Sequence, residues 1–268
     1  MQKQYKLGVI GAGFMSSAIL DGVINSKVLT PQQIIVSDLS KDALDRVAKK
    51  GVSVTFDNKV LANGAEFVLF AIKPQNATAV LEEIKNSNTN KFVSIMAGVK
   101  KEKIKKYFPF SLVARCMPNT PCSLGKGAIG LDCTDFSNKK DVDFIKRLFS
   151  SLGEVVSVPE ELLSAVTGVS GSAPAYFYLF LKTIVEAGIK HGLSEEQAKK
   201  LAVNTMIGAG EMVKKNTDKS LDDLINAVCS KGGTTIEAIK IYYEKGLSEI
   251  SSQAIDACVA RSKELESL

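Results

Sequence analysis

Along about the first 157 residues, short apolar runs alternate with segments of helical apolar spacing. Runs rich in Val, Ile, Phe and Leu predict strands at 5–10, 33–37, 66–72, 91–96, 112–116, 127–131 and 153–158. Several are apolar at successive positions, as strands buried on both faces are. The stretches between predict helices at 14–26, 40–50, 75–85 and 138–150. Strands alternating with helices imply right-handed crossovers and a mostly parallel, doubly wound sheet with helices on both faces. From Glu160 onward no β-rich run occurs, and the pattern predicts helices at 160–169, 173–191, 194–215, 218–229, 233–245 and 247–266. Ser194-Glu-Glu-Gln197 reads as a capping box, and Ser172 stands just before Ala173-Pro174. The expected organisation is therefore an α/β domain over 1–159 and an all-α domain over 160–268. The segment 173–191 is apolar on nearly all sides, so it needs a large core, and a helical domain of this size is expected to share one with a second subunit.

Composition narrows the function. With 45% hydrophobic and 24% charged residues the chain reads as an ordinary soluble globular protein. No apolar run reaches the ~18 residues that span a bilayer, so no membrane partner is expected. Met1-Gln-Lys-Gln4 runs straight into the first strand, which gives no secretory signal. Five cysteines (116, 122, 133, 229, 258) without a C-x-x-C pair are expected to be reduced thiols in the cytoplasm. The single histidine, His191, leaves almost nothing for a His-containing metal site or a Ser-His-Asp triad, and no metal is expected. The net charge of +5 lies in clusters such as Lys49-Lys50, Lys100-Lys101 and Lys105-Lys106. With no aromatic residues interleaved, these read as solvated helix faces and not as a nucleic-acid surface.

The strongest chemical signal is Leu7-Gly-Val-Ile-Gly11-Ala-Gly13-Phe-Met15. Here a strand ends in Gly-x-Gly and a helix begins at once. Gly11 permits the sharp turn, Gly13 lets the backbone approach a ligand, and the first helical amides favour an anion. Ser16 replaces the usual third glycine and is small enough for close helix packing. This placement points to a Rossmann-type dinucleotide site, with a plain connecting turn as the alternative reading. Asp38 ends the second strand, where a carboxylate accepts from the adenosine ribose hydroxyls; an Asx turn or helix cap is an equal reading, and both can hold together. Lys73, in Ala71-Ile-Lys-Pro74, emerges at the strand end where a cofactor lies, or is simply solvated. Ala97-Gly98 and Arg115-Cys-Met-Pro118-Asn119-Thr-Pro121 follow later strands at the same edge, and the two prolines stiffen the loop that presents Asn119. In the helical half, Ser230-Lys-Gly-Gly233-Thr-Thr235-Ile interrupts two helices. Its amides and hydroxyls suit a carboxylate, while the plainer alternative is a helix break with a threonine cap.

Together with Gly168-Val-Ser-Gly-Ser-Ala-Pro-Ala-Tyr176, Ala187-Gly-Ile-Lys-His-Gly192, Asn204-Thr-Met-Ile-Gly-Ala-Gly210 and Gly232-Gly-Thr-Thr-Ile-Glu-Ala238, these motifs span the chain. In order and spacing the whole resembles the pyrroline-5-carboxylate reductase family. The resemblance implies a Rossmann domain, a helical domain that interleaves with a second subunit, and dimers that often assemble into decamers, with dimer or decamer left open for this chain. It implies reduction of 1-pyrroline-5-carboxylate to L-proline by hydride transfer from NAD(P)H, the last step of proline biosynthesis. By position, it places cofactor contacts at Ile10, Gly11, Ala12, Gly13, Phe14, Met15, Asp38, Asn58, Ile72, Lys73, Ala97 and Asn119. Substrate contacts fall on Ser230, Gly233, Thr234 and Thr235, with Glu160 a weaker candidate, and Thr235 is assigned to the ring nitrogen. Three positions depart from the family: Lys231 for its usual proline, Thr234 for a frequent alanine, and Asp38 for a Ser, Thr or Asn. The last of these points to NADH over NADPH.

Two rivals share the plan. A β-hydroxyacid dehydrogenase would need a catalytic lysine early in the first helix of the second domain, but Tyr176, Phe177 and Tyr178 fill that region and Lys182 comes too late. A non-catalytic nucleotide-binding protein would lack the 230–235 loop, which is present apart from Lys231.

Overall fold

A single eight-stranded sheet organises the N-terminal half of the computed structural model, which describes residues 3–266. Its strands are β1 (Tyr5–Ile10), β2 (Ile34–Ser37), β3 (Ser53–Thr55), β4 (Ala65–Phe70), β5 (Lys91–Ser94), β6 (Leu112–Met117), β7 (Gly127–Asp132) and β8 (Gly153–Ser157). They lie in the order β3-β2-β1-β4-β5-β6-β7-β8. All neighbours pair parallel except β6 and β7. The strand order reverses between β1 and β4, and ligands bind beyond the carboxyl ends of strands at such a switch point.

The helices of this half are α1 (Phe14–Asn25), α2 (Lys41–Ala48), α3 (Asn58–Gly64), α4 (Ala77–Ile84), α5 (Lys101–Lys105), α6 (Lys139–Ser150) and α7 (Leu163–Val166). Side-chain alternation divides them between two cores. Leu7, Val9, Phe67 and Leu69 pack with Ile19, Leu20, Phe144 and Leu148 of α1 and α6. Ile10, Val68 and Phe70 face the other way, onto Leu61, Leu81 and Ile84 of α3 and α4. A strand side-chain period of two produces both layers from one continuous apolar run. The strand and helix at 53–64 were not expected from the apolar pattern. β3 is a three-residue edge strand, and α3 is started by Asp57, whose carboxylate accepts from the Lys59 and Val60 amides at 2.7 and 3.2 Å. The helix expected at 160–169 is instead a 3-10 turn, one α-turn and a π-turn over Thr167–Gly171.

The remaining helices are α8 (Ala173–Lys190), α9 (Glu195–Lys215), α10 (Leu221–Val228), α11 (Thr234–Glu244) and α12 (Leu247–Glu266). Secondary structure changes from strand to helix after Ser157, as expected, but packing divides the chain differently. One compact unit comprises residues up to Pro174 together with the end of α12 from Ala257, and the other is Ala175–Asp256. The outer limits of the two expected domains, residues 1–2 and 267–268, lie outside the described residues.

In the second unit only Ala198 is a buried apolar side chain among the described residues. Phe180 meets Tyr242 with ring centroids 6.2 Å apart, and Ala198 packs beside Gly188. Along α8, however, Phe177, Tyr178 and Leu179 are 56–63% exposed, and Leu201, Ile207 and Ile250 are each 60% exposed. The expectation that α8 is buried is therefore not met within one chain. Four-helix packing around so apolar a segment requires cover from another copy, because apolar surface on this scale does not stay in water. Light scattering at micromolar concentration is expected to give at least twice the chain mass of 28.8 kDa, whereas a stable folded monomer would contradict this.

Candidate functional site

At the carboxyl end of β1 the chain turns through Gly11, whose φ is +103°, a region that L side chains rarely adopt. A Cβ added there would lie 2.5 Å from the Ala71 carbonyl oxygen, so the turn is pressed against the end of β4. Backbone bonds lock this contact: Gly11 donates to the Ser37 carbonyl at 2.7 Å and Ala71 to that of Ile10 at 2.9 Å. Ser16, in the third-glycine position, is fully buried and returns its hydroxyl to the Gly11 carbonyl at 2.5 Å. Gly13 caps α1 without any side-chain hydrogen bond, the first turn carries no acidic residue, and no atom lies near a Cβ built on Gly13. The amides at Gly13, Phe14 and Met15 thus face open space at a positive helix end, an arrangement that fits a pyrophosphate.

Asp38 realises its turn role. One carboxylate oxygen accepts from the Ser40 amide at 2.8 Å, and the other from the Ala12 amide at 2.7 Å. Ala12 is thereby removed from the set of free amides. An ionised carboxylate has about four acceptor positions, so these two bonds leave capacity for ribose hydroxyls. Asp38, Ile10, Gly11, Asn58 and Ile72 all line one cleft of about 290 Å3 at the switch point. Ser37, Leu39, Asn76, Ala79, Val80 and Glu83 complete it. The sequence reading did not pick out this second group. Asn76, Ala79 or Val80, and Glu83 recur at helical spacing, but only the packing of Ala77, Leu81 and Ile84 reveals which face of α4 is left toward the cleft.

The other expected cofactor residues follow strands at the same sheet edge. Lys73 is exposed at the start of a 3-10 turn, and Ala97 is half-buried before Gly98. A Cβ on Gly98, at φ +70°, would come within 2.9 Å of Leu265, so the end of α12 lies directly on this turn. Asn119 is 8% exposed, and its amide is engaged within the protein: Nδ2 donates to the Ser170 carbonyl at 3.2 Å, and Oδ1 accepts from the Ala128 amide at 3.1 Å. Its side chain clamps the loop to the π-turn and to β7.

Glu160 is likewise engaged. Its Oε1 accepts from the Lys101 amide at 2.8 Å and from Nη1 of Arg115 at 2.9 Å. Arg115 is 3% exposed and also reaches Glu266 at 3.3 Å. Two carboxylates on one buried guanidinium hold the end of α12 to β6. Nearby, Lys101 pairs with fully buried Asp132 and with Asp135. Burial opposes the charge on Lys101, but these carboxylates outweigh it and raise its pKa above the ordinary lysine value.

In the helical unit, Ser230, Thr234 and Thr235 are exposed and Gly233 half-buried. Gly232 has φ +74°, and the Gly233 amide closes the turn onto the Ser230 carbonyl at 3.0 Å. A Cβ on Gly233 would clash with the Ser230 hydroxyl oxygen at 2.4 Å. Helix α11 then starts with Gly233 as its cap and with no side-chain capping bond. The alternative of a threonine cap is not what forms, because Thr234 and Thr235 stand inside the first turn. Their amides and hydroxyls, with that of Ser230, are exposed and chemically suited to an external acceptor.

Comparison with known proteins accords with this geometry. A family described as pyrroline-5-carboxylate reductase dimerisation matches residues 160–265, and one described as NADP oxidoreductase, coenzyme F420-dependent, matches 6–98. The pyrroline-5-carboxylate reductase of Synechocystis is 37% identical over 97% of this chain and 98% of its own length. The chain belongs to the pyrroline-5-carboxylate reductase family. The solved pyrroline-5-carboxylate reductase of Coxiella burnetii superposes with a TM-score of 0.91 at 34% identity, covering 98% of this chain and 99% of that one. The Plasmodium falciparum pyrroline carboxylate reductase with NADP bound gives 0.86 at 28% identity, covering 99% and 100%. Family membership accounts for the uncovered apolar helices, since 160–265 is a dimerisation region. It also places a nicotinamide nucleotide domain on β1 to β5.

The turn at Gly11 can be tested directly. Gly11→Ala adds both a disfavoured φ and a contact with the Ala71 carbonyl, and strain of this kind costs about 1–3 kcal/mol. NADH affinity, followed by fluorescence titration, is expected to fall by about tenfold or more, and unchanged affinity would show that the turn does not hold the nucleotide.

Proposed function

We propose that the chain reduces 1-pyrroline-5-carboxylate to L-proline, with reduced nicotinamide as hydride donor. The observation that carries this reading is the pairing of an uncapped α1 behind the Gly11 turn with an uncapped α11 behind the Gly232-Gly233 turn. The first suits a pyrophosphate and the second a small carboxylate. A protonated cyclic imine already bears the positive charge that accepts hydride at its C=N carbon, so the protein mainly holds two rings in register. That fits a chain with one histidine. Ser230 and the amides at Thr234 and Thr235 grip the carboxylate beside Gly233, whose own amide closes the turn, and the Thr235 hydroxyl orients the ring nitrogen. Exposed Lys231, where the family usually has proline, adds positive charge beside that loop. Ile10 to Met15, Asp38, Asn58, Ile72, Lys73, Ala97 and the Asn119 loop hold the nucleotide. Glu160 acts in this reading by fixing Arg115 and the end of α12.

The reading includes NADH as the preferred donor. Asp38 stands at the end of β2 with its carboxylate tied down by two amides, so it does not swing away from an incoming 2′-phosphate. Lys41, the nearest lysine in sequence, pairs with Asp45 at 2.6 Å. The Plasmodium falciparum relative with NADP bound sets the contrary expectation. A dimer in the cytoplasm, with dimers assembling into a decamer, belongs to the same proposal; the five free thiols and the match to a dimerisation family support its first two parts.

Purified protein is expected to oxidise NADH only when pyrroline-5-carboxylate or a close cyclic imino acid is supplied, and to use NADPH less well in kcat/KM. Turnover of hydroxy or keto acids in place of the imino acid would overturn the assignment. Thr235→Ala is expected to lower kcat/KM by about tenfold or more, since a hydrogen bond to a charged group is worth ~1.5–3 kcal/mol. An unaltered rate would reduce Thr235 to an ordinary first-turn residue.

A further inference from the structure

The cleft at the end of β1 holds a carboxylate that the function above does not use. Ser37 is fully buried, and its hydroxyl donates to Oδ1 of Asn58 at 2.6 Å. That contact turns Nδ2 of Asn58 outward, where it donates to Oε2 of Glu83 at 2.7 Å. The relay sets the orientation of the Asn58 amide and ties it to the Glu83 carboxylate. Glu83 comes from α4 and Asp38 from the end of β2, and both line the same cleft. No lysine or arginine lines it among the described residues. Its remaining walls include Ile10, Leu39, Ile72 and Val80, which offer an apolar surface to a flat ring.

We infer that Glu83 is a second selectivity-determining residue of this cleft. It works with Asp38 against a 2′-phosphate and positions Asn58 for the adenosine end of the nucleotide. The inference rests on the proposal that the cleft takes that end of a nicotinamide nucleotide. A 2′-phosphate carries roughly −1.5 to −2 charges near neutrality. It meets two anionic groups in a cleft that no lysine or arginine lines among the described residues, Lys59 and Lys85 lining the adjoining pocket that Glu83 shares, whereas a free 2′-hydroxyl donates to either carboxylate. The two groups approach from different elements, so removing one leaves the other in place. Selectivity therefore divides between a position at the β2 end, where the sequence points, and one on a helix face, where it does not.

The test is nucleotide binding by calorimetry, with the full-length protein and no imino acid, comparing NADH with NADPH. Glu83→Gln keeps an acceptor for Asn58 and removes the charge, while Glu83→Ala removes both. Glu83 is exposed and outside both cores, so neither change removes packing. In Glu83→Gln the ratio of NADPH to NADH affinity is expected to rise by about fivefold, the order for one solvent-screened like-charge contact. That gain should shrink as salt is raised, and it should add to the gain from Asp38→Ser. A ratio that stays constant while both affinities fall together would overturn the inference and make Glu83 a structural acceptor for Asn58. Wild-type protein that binds neither nucleotide would instead overturn the nucleotide reading itself, and the inference with it.

Discussion

The N-terminal half depends on one close approach of backbone to backbone. At Gly11 the turn after β1 lies so near the Ala71 carbonyl that no side chain fits, and this contact lets β1 and β4 stay paired up to the point where their helices diverge. Because α1 leaves the turn immediately, its free amides are aimed out of the sheet edge at the switch point, and no side chain caps them. Ser16 shows the same constraint from the other side: a buried hydroxyl bonded to the Gly11 carbonyl does what a third glycine does elsewhere, filling little space while closing the turn. The cleft that Asp38, Asn58 and Glu83 surround is the outer continuation of this arrangement.

The helical half obeys a different constraint. Between Ala175 and Asp256 it has almost no interior of its own, and its most apolar helix faces outward. Its order must then come from association, so the loop from Ser230 to Thr235 is carried by a scaffold whose stability is tied to a second copy. In the proposed reading this links substrate binding to assembly, whereas the N-terminal domain has two well-filled cores and does not share the dependence.

How much of this was legible in the sequence follows from which forces act locally. Seven of the eight strands announced themselves: β1, β2 and β4 to β7 because a strand buried on both faces is apolar over most of its length, and the exposed edge strand β8 through Val155 and Val156; Val54 and its neighbours in β3 did not, being a short edge segment with little to bury. The Gly11 turn and the glycine pair at 232–233 were visible because Gly11 and Gly232 take positive φ values that favour glycine, and a Cβ on Gly233 would meet the Ser230 hydroxyl. Asp38 was visible as a carboxylate at a strand end, and the structure shows its turn role, in the bond from the Ser40 amide, together with a second bond from the Ala12 amide. Glu83 could not be found, since its role depends on how α4 rotates against the sheet. Asn119 and Glu160 were marked by position alone, and their partners, Ser170 and Arg115, lie 51 and 45 residues away. Such pairings are properties of the tertiary fold and leave no local pattern. The apolar helix at 173–191 was read as needing cover from a second subunit, because a helical domain of this size is too small to bury it alone, and the match to a dimerisation family agrees.

The central claim is a division of labour: the α1 end binds the nucleotide and the α11 end binds the small carboxylate. Amide hydrogen exchange on the assembled protein tests it most directly, with NADH alone and with L-proline alone. The account predicts that NADH slows exchange at Gly13 to Met15 and that proline slows it at Thr234 to Ile236, each with little effect on the other segment. Protection by proline that falls on the α1 turn, or none at α11, would contradict it.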